Sequence, residues 1–518
     1  MTKKKHILEA LSLLLLSSAT IHLFTVSEQN IAQTLMVIVL VLVSFLVLFF
    51  VRDTQTSSKY PIPWSTVPLS LMVVFVYIET IFGFFSFNAL VHHISYEITT
   101  NVDSDLIEKG YQYGFATIAI LLIIYWLKRD SKKYQVFDKL FALVLLIGNP
   151  MNIQAVEYFY SSSFEPSKRS ELSDFFAQPN FEKTTPELKN LIFIYLESYE
   201  RTYFDERQFG NISEELKKLS KSALDFTNID QIKHTEWTMA GMIASQCGTP
   251  LFPYGLLNRN KFDKTDAFMA KTICMSDVLN HSGYHTAYIG GDSIRFSGKE
   301  NYLKSHSFTE FYGKKKLNNT IKPSELSAWG IHDEDVFSFA SNKVKSYFKD
   351  NKPFAIFISS LDTHNPKGMP NSNCRKKFGN QYSQEMMLSL KCTDSLIYDF
   401  ILDIKSDSNY RDSVFVIVSD HLAMKNPLIQ KLESSELGRK NLFLIIGDDL
   451  EAKKINKKGS LIDVYPTVME TLGFRLENPK ANLGVSLLNN HPTLIEIYNK
   501  NVLNQLVENE HSVQRLLW

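Results

Sequence analysis

Three short apolar runs in the C-terminal half of this 518-residue chain each stop at a group able to hold a metal ion or a phosphate. Residues 190–196 lead into Glu197, residues 353–361 into Asp362-Thr363-His364, and residues 413–419 into Asp420-His421. Runs of this length, rich in β-branched and aromatic residues, read as strands buried on both faces, hence parallel strands in an α/β sheet. In such sheets ligands bind beyond the carboxyl ends of the strands. Three polar groups from distant parts of the chain are therefore expected at one site.

Two more strands are expected at 284–290, leading into Gly291-Asp292, and at 441–446, leading into Gly447-Asp448-Asp449. Helical patterns near 214–223, 238–245, 275–282, 333–348, 383–405 and 461–472 alternate with the strands, which is a doubly wound α/β arrangement.

The chain carries 55 basic and 55 acidic residues, so nothing draws it generally to nucleic acid. The balance hides a change of character near residue 155, before which apolar runs dominate. Five segments, 7–26, 31–51, 66–89, 113–127 and 136–153, are candidate membrane helices. The last two are shorter or interrupted, the fifth by Asp138 and Lys139, and a buried core helix is their alternative reading.

Lys3, Lys4 and Lys5, then Arg52 and Lys59, then Lys128, Arg129, Lys132 and Lys133 mark one side of these segments, and the opposite loops are poor in positive charge. The amino terminus is thus expected in the cytoplasm and everything after about residue 155 outside it. The first segment starts like a signal peptide, but no convincing small-residue cleavage site follows, and it reads as an uncleaved anchor. The expected organisation is a five-helix transmembrane domain over 1–155, a juxtamembrane connector over 156–188 and an exported α/β domain over 189–518. Aromatic residues of the connector, Tyr158, Phe159, Tyr160, Phe175, Phe176 and Phe181, suit either the membrane interface or packing against the exported domain.

The four cysteines, Cys247, Cys274, Cys374 and Cys392, all fall in the exported part, as disulfides in an oxidising compartment would. Proximity favours the pairs 247–274 and 374–392, with four unpaired buried thiols as the alternative.

Glu197 alone reads equally as a ligand, a cap or an ion-pair partner. Asp420-His421 is more specific, offering oxygen and nitrogen to one cation. Thr238 opens an apolar helical stretch, where a threonine is either an N-cap or a nucleophile at the positive end of a helix dipole; Thr235 is its rival. His364 is placed to bind a phosphate oxygen or protonate a leaving alkoxide. Arg295 and Lys299, in the Gly-rich loop 290–300, either clamp a phosphate or belong to a solvated loop.

The stretches 194–205, 237–248, 329–335, 361–368, 418–424 and 463–467 together resemble the motifs of membrane phosphoglycerol transferases that decorate osmoregulated periplasmic glucans. Lipoteichoic acid synthases are more distant relatives, and all resemble the sulfatase and alkaline-phosphatase superfamily. The resemblance covers about 189–475. It implies an alkaline-phosphatase/sulfatase-like fold and a site in which Glu197, Thr238, Asp420 and His421 hold one divalent metal. Mn²⁺ is favoured over Mg²⁺ or Zn²⁺. It further implies Thr238 as nucleophile and His364 as the substrate-binding histidine. Lys299 stands where lipoteichoic acid synthases carry an arginine, and Ser297 where they carry a tryptophan. The implied reaction moves phosphoglycerol from phosphatidylglycerol to a periplasmic glycan, in a monomeric multi-pass protein of a bacterial inner membrane with its catalytic domain in the periplasm. A phosphoethanolamine transferase and a membrane-anchored sulfatase or phosphodiesterase are the alternatives. No Cys/Ser-x-Pro-x-Arg signature, as a sulfatase nucleophile would need, surrounds Thr238.

Overall fold

The computed structural model describes residues 64–82, 87, 113–114, 117–118, 132–164, 170–184, 188–252, 267–323, 325–350, 352–476, 479–508, 510 and 512–518. It separates into two compact units, Met1–Phe87 with Val102–Phe159, and Asn88–Asn101 with Tyr160–Trp518.

In the first unit, helix α1 (Thr66–Phe82) starts where the Asp138 carboxylate accepts from the Ser65 N–H at 3.1 Å and the Ser65 hydroxyl at 2.6 Å. The acidic residue that interrupts the fifth apolar segment is therefore a cap for another helix. That segment is not one helix. Helix α2 (Lys132–Gly148) ends and helix α3 (Pro150–Phe164) begins across Asn149. A residue before proline avoids the helical region, and proline suits the first position of the next helix. The Asn149 side chain caps that start, accepting from the Met151 N–H at 3.0 Å. Among the described residues no single helix is long and apolar enough to cross a membrane; Asp138–Gly148 and Pro150–Glu157, bent by 64°, pass that test together. The segments at 7–26 and 31–51 lie outside the described residues, as does most of 113–127.

The second unit is built on an eight-stranded sheet. Its strands are β1 (Asn190–Leu196), β2 (Leu224–Phe226), β3 (His285–Gly290), β4 (Glu310–Tyr312), β5 (Phe354–Ser359), β6 (Ser413–Ser419), β7 (Phe443–Ile446) and β8 (Lys453–Ile455). They lie in the order β8-β2-β7-β6-β1-β5-β3-β4. β1, β5 and β6 are the central strands foreseen from the apolar runs, and every residue in them is buried.

The sheet is mixed rather than wholly parallel. β7 runs antiparallel to both β6 and β2. Its carboxyl end, Gly447-Asp448-Asp449, therefore faces away from the site edge, and Asp449 pairs instead with Lys189 just ahead of β1. The strands β2, β4 and β8, of three residues each, are too short to stand out in the sequence.

Ile192 and Ile194 of β1 point into one core, shared with Val336 of helix α4 (Asp333–Lys349) and Ile397 of helix α5 (Glu385–Lys405). Tyr195 faces the other way and its hydroxyl lies 3.0 Å from Ser245 Oγ on helix α6 (Thr238–Cys247). Each such buried aliphatic or aromatic side chain contributes about 1.5–3 kcal/mol. Phe181 of the connector packs on Tyr465 and Phe474, and Lys480 sits over the Phe175 ring. Phe175 and Phe181 thus pack against the α/β domain. Disulfides join Cys247 to Cys274 and Cys374 to Cys392. The first ties the end of α6 to the helix Met275–His281.

Register brings the strand ends together. Leu196 pairs with Ser419 and Tyr195 with Ser359, so Glu197, Asp420 and the 360–364 loop leave the sheet side by side. Helix α6 reaches this edge only because Gly241 has no side chain: a Cβ there would meet the Asp420 carbonyl oxygen at 1.6 Å. Gly241→Ala should force the helix off the strand end, lowering stability by about 2 kcal/mol or more. Thermal unfolding of the full chain checks this, and an unchanged Tm would show that the contact does not constrain the fold.

Candidate active site

At the end of β1 the chain turns through Ser198, which holds φ at +54° in the left-handed region. That turn lets the Ser198 N–H donate to Asp420 Oδ1 at 2.9 Å. The His421 N–H donates to the same oxygen at 2.7 Å. Asp420 Oδ2 is left buried with no hydrogen-bond partner. Glu197 is held from behind by its own N–H donating to Ser360 Oγ at 2.9 Å, and by the Thr363 hydroxyl donating to its carbonyl.

His421 completes the group. Its Nδ1 lies 2.8 Å from the Leu422 carbonyl, which can only accept, so Nδ1 carries the proton. In the neutral ring Nε2 then presents a lone pair, 3.4 Å from Glu197 Oε1 and 3.5 Å from Asp420 Oδ2. Nε2 too is buried and has no hydrogen-bond partner. Three acceptors facing one another in a buried site call for a cation. Ligand atoms about 2.1 Å from a shared ion lie about 3.0–3.4 Å apart, close to the spacings here. Glu197, Asp420 and His421 therefore fit a single divalent ion, and oxygen with one nitrogen suits Mn²⁺, Mg²⁺ or Zn²⁺.

The electrostatics agree. Burial, reinforced by the Glu197 charge, pushes Asp420 up to about 8. Burial alone would lower His421, but the Asp420 and Glu197 carboxylates raise it to about 9. Burial would raise Glu197, yet the nearby His364 and His421 hold it well below the ordinary carboxylate range.

Thr238 is the first residue of α6, and the N-cap is Trp237, whose side chain makes no capping bond. The Thr238 hydroxyl is not spent on the helix; it donates to Glu197 Oε2 at 3.1 Å. Its rival Thr235 is fully buried and donates to the Ile232 carbonyl at 2.7 Å, which leaves it no reach to the site. The two readings of the helix start that the sequence leaves open are thus separated by one residue's placement.

Across the cleft stand His364, Trp329, Phe296, Ser297 and Lys299. His364 Nδ1 donates to the Asn365 carbonyl at 2.7 Å, and the Trp329 ring packs on the imidazole at 4.2 Å between centroids. Asp362, two residues earlier, takes no part in the cleft. Its carboxylate accepts from His332 Nδ1 at 2.8 Å and from the Asp333 N–H at 3.1 Å, anchoring the start of α4.

The Lys299 ammonium lines the cleft but is buried, 2.6 Å from Asp292 Oδ2 and 3.2 Å from the Tyr288 hydroxyl. Burial opposes its charge, and the Asp292 carboxylate restores it, leaving the pKa above its ordinary value. Arg295 is exposed, its Nε 4.0 Å from Glu300, and is not among the residues lining the cleft. Asp292 follows the strand expected over 284–290 and Trp329 opens the 329–335 motif, but the sequence alone assigns neither a role in the cleft. A second grouping, Cys274, Asp277 and His306, offers no thiolate because Cys274 is in a disulfide; His306 there bonds Asp277 and the Phe268 carbonyl.

Two raised groups must release protons before a cation can bind between Asp420 and His421. Their folded pKa values lie above the ordinary ones, so protons compete most at low pH, and Mn²⁺ affinity should rise between about pH 6 and pH 9 by roughly tenfold per displaced proton per unit. Calorimetric titration measures this, and Asp420→Ala should remove most bound metal by elemental analysis. A flat pH profile or full occupancy in the variant would sink the ligand assignment.

The model of the sulfatase family matches residues 189–474. Phosphoglycerol transferase I of Shigella flexneri is 31% identical over 430 residues, 79% of this chain and 55% of the relative. The enzyme of the same name from Escherichia coli strain K12 matches with the same identity and coverage. The chain thus spans about half the length of the curated relatives it matches. Among solved structures, an alkaline phosphatase superfamily protein from Vibrio parahaemolyticus aligns with a TM-score of 0.49 at 20% identity, covering 67% of this chain and 81% of that one. The lipoteichoic acid synthase LtaP from Listeria monocytogenes aligns with a TM-score of 0.47 at 20% identity, covering 64% and 81%. With the family model matched over more than half of its length, this chain belongs to the sulfatase family.

Proposed function

We propose that the chain is a metal-dependent transferase that moves phosphoglycerol from phosphatidylglycerol to a glycan hydroxyl through a covalent Thr238 intermediate. The observation that carries this reading is the Thr238 hydroxyl at the head of α6, 3.1 Å from Glu197 in the buried Glu197–Asp420–His421 group, in the cleft that His364 also lines. The likeness to phosphoglycerol transferase I supports phosphoglycerol as the group transferred. A divalent ion held by Glu197, Asp420 and His421, Mn²⁺ by preference, supplies charge neutralisation and lowers the hydroxyl pKa.

Thr238 Oγ1, as the alkoxide left when its hydroxyl proton passes to solvent, attacks the phosphorus of the donor, forming a P–O bond as the bond to the diacylglycerol oxygen breaks. His364, free at Nε2 while Nδ1 is held by the Asn365 carbonyl, gives that oxygen its proton. The α6 N-terminus turns its free N–H groups and positive dipole toward the phosphoryl oxygens. An acceptor hydroxyl then attacks the same phosphorus, its proton passes to His364, and Thr238 is released. Every residue in this scheme comes from one chain, which suits a monomer.

A lipid donor explains the apolar first part. We read 1–155 as a five-helix membrane domain, 156–188 as the connector and 189–518 as the catalytic domain on the periplasmic side of a bacterial inner membrane. The bent apolar pair within 138–157 is consistent with one of those crossings.

Thr238→Ala should abolish both turnover of labelled phosphatidylglycerol and the phosphoglyceryl adduct on the enzyme, and Thr238→Ser should keep part of each. Mass spectrometry of the trapped enzyme reads the adduct, and its persistence at another residue would overturn the nucleophile. His364→Ala should lower kcat by about 10²-fold or more. A change confined to KM would assign His364 to binding alone.

A further inference from the structure

Among the described residues of the exported unit seven large apolar side chains stand exposed, and four of them, Leu488, Ile497, Val502 and Leu516, fall after residue 487. They lie on or beside two helical stretches, Leu494–Glu508, which is kinked at Asn499 between Ile497 and Val502, and Ser512–Leu517. The inward rows of these helices, Leu494, Ile495, Leu503 and Val507, then Val513 and Leu517, are buried in the domain. Ile497, Val502 and Leu516 point outward with 45%, 40% and 41% of their surfaces exposed.

These helices surround the point where the chain enters the domain. The Ser170 hydroxyl bonds the Glu510 carboxylate, and Ser512 Oγ lies 3.0 Å from it. The helix Ser512–Leu517 packs against the connector helix Glu171–Phe175. The Tyr498 hydroxyl, next to Ile497, faces the Glu171 carboxylate. Only six peptide steps, about 20 Å at full extension, separate Ser170 from the end of α3. That helix continues the apolar pair through Tyr158-Phe159-Tyr160, an aromatic run of the kind found at membrane interfaces. The same C-terminal helices also touch the loop that carries the nucleophile: the Lys233 N–H, five residues before Thr238, donates to Asn504 Oδ1 at 2.9 Å.

We propose that the outward face of Leu494–Glu508 and Ser512–Leu517 rests on a phospholipid surface, with Ile497, Val502 and Leu516 inserted among the acyl chains. This rests on the membrane reading given above. The tether commits the face to the bilayer, because these helices pack at the short segment that leads from the apolar part of the chain into this unit. The contact sets the loop before Thr238 close to the surface from which a lipid donor is drawn.

With all four native cysteines paired, one added cysteine is a unique thiol. The full chain carrying Ile497→Cys, Val502→Cys or Leu516→Cys, labelled with bimane, is reconstituted in phosphatidylglycerol–phosphatidylethanolamine vesicles bearing doxyl-labelled lipid. Leu402→Cys and Leu437→Cys, also at exposed leucines, serve as controls. The three test sites should be quenched by the doxyl lipid about twofold or more over the controls, and protected from aqueous iodide. Equal quenching at all five sites overturns the docking, as does iodide quenching at the test sites. Protection from both quenchers points to a protein partner and equally overturns it. A chain that fails to float with the vesicles overturns the membrane reading itself, and the docking with it.

Discussion

The structure of the second unit depends on the crowding of three hydrogen-bond acceptors at the ends of two neighbouring strands. Glu197, Asp420 and the Nε2 lone pair of His421 face one another, with Asp420 Oδ2 and His421 Nε2 buried and without hydrogen-bond partners. Two like charges about 4 Å apart repel by roughly 4 kcal/mol near a protein surface, and a domain of this kind is stable by only about 5–15 kcal/mol. A shared cation turns that repulsion into attraction. The surrounding devices hold the acceptors in place: the left-handed turn at Ser198, the two N–H groups on Asp420 Oδ1, and the Leu422 carbonyl that sets the His421 tautomer.

Charge is handled differently on the far wall of the cleft. The Lys299 ammonium is neutralised by Asp292 and supported by Tyr288. Such a pair shapes the pocket and presents little net charge, whereas His364, backed by Trp329, keeps one ring nitrogen for whatever enters. The Glu197, Asp420 and His421 side of the cleft and the α6 terminus thus face polar side chains opposite. In the sequence Lys299 and Arg295 read either as a phosphate clamp or as part of a solvated loop; folding buries the first in an ion pair and leaves the second on the surface.

Much of this arrangement is legible along the chain. The buried strands announce themselves by unbroken apolar runs, since both faces of β1, β5 and β6 are covered. Their polar ends follow from that, because a ligand meets a parallel sheet at its carboxyl edge. The direction of β7 is not legible, since an apolar run reads the same parallel or antiparallel, and that direction sends Asp449 to the opposite edge. The break at Asn149-Pro150 was present in the sequence as a known stop signal, but the apolar residues on either side masked it.

Residue types and spacing by themselves determined which groups are available: two carboxylates, an imidazole and a threonine, each beside an apolar stretch that would bury it. Only the tertiary structure decided which of Thr238 and Thr235 meets Glu197, and whether the Asp362 carboxylate faces the cleft or anchors a helix. Both choices turn on partners far away in sequence. Thr235 is satisfied within its own turn, while Thr238 meets Glu197 because Gly241 lets the helix come against Asp420. Asp362 meets His332 and Asp333 before it can reach the cation site. Propensity is a property of neighbours along the chain, whereas the availability of a lone pair or a hydroxyl is a property of everything packed around it.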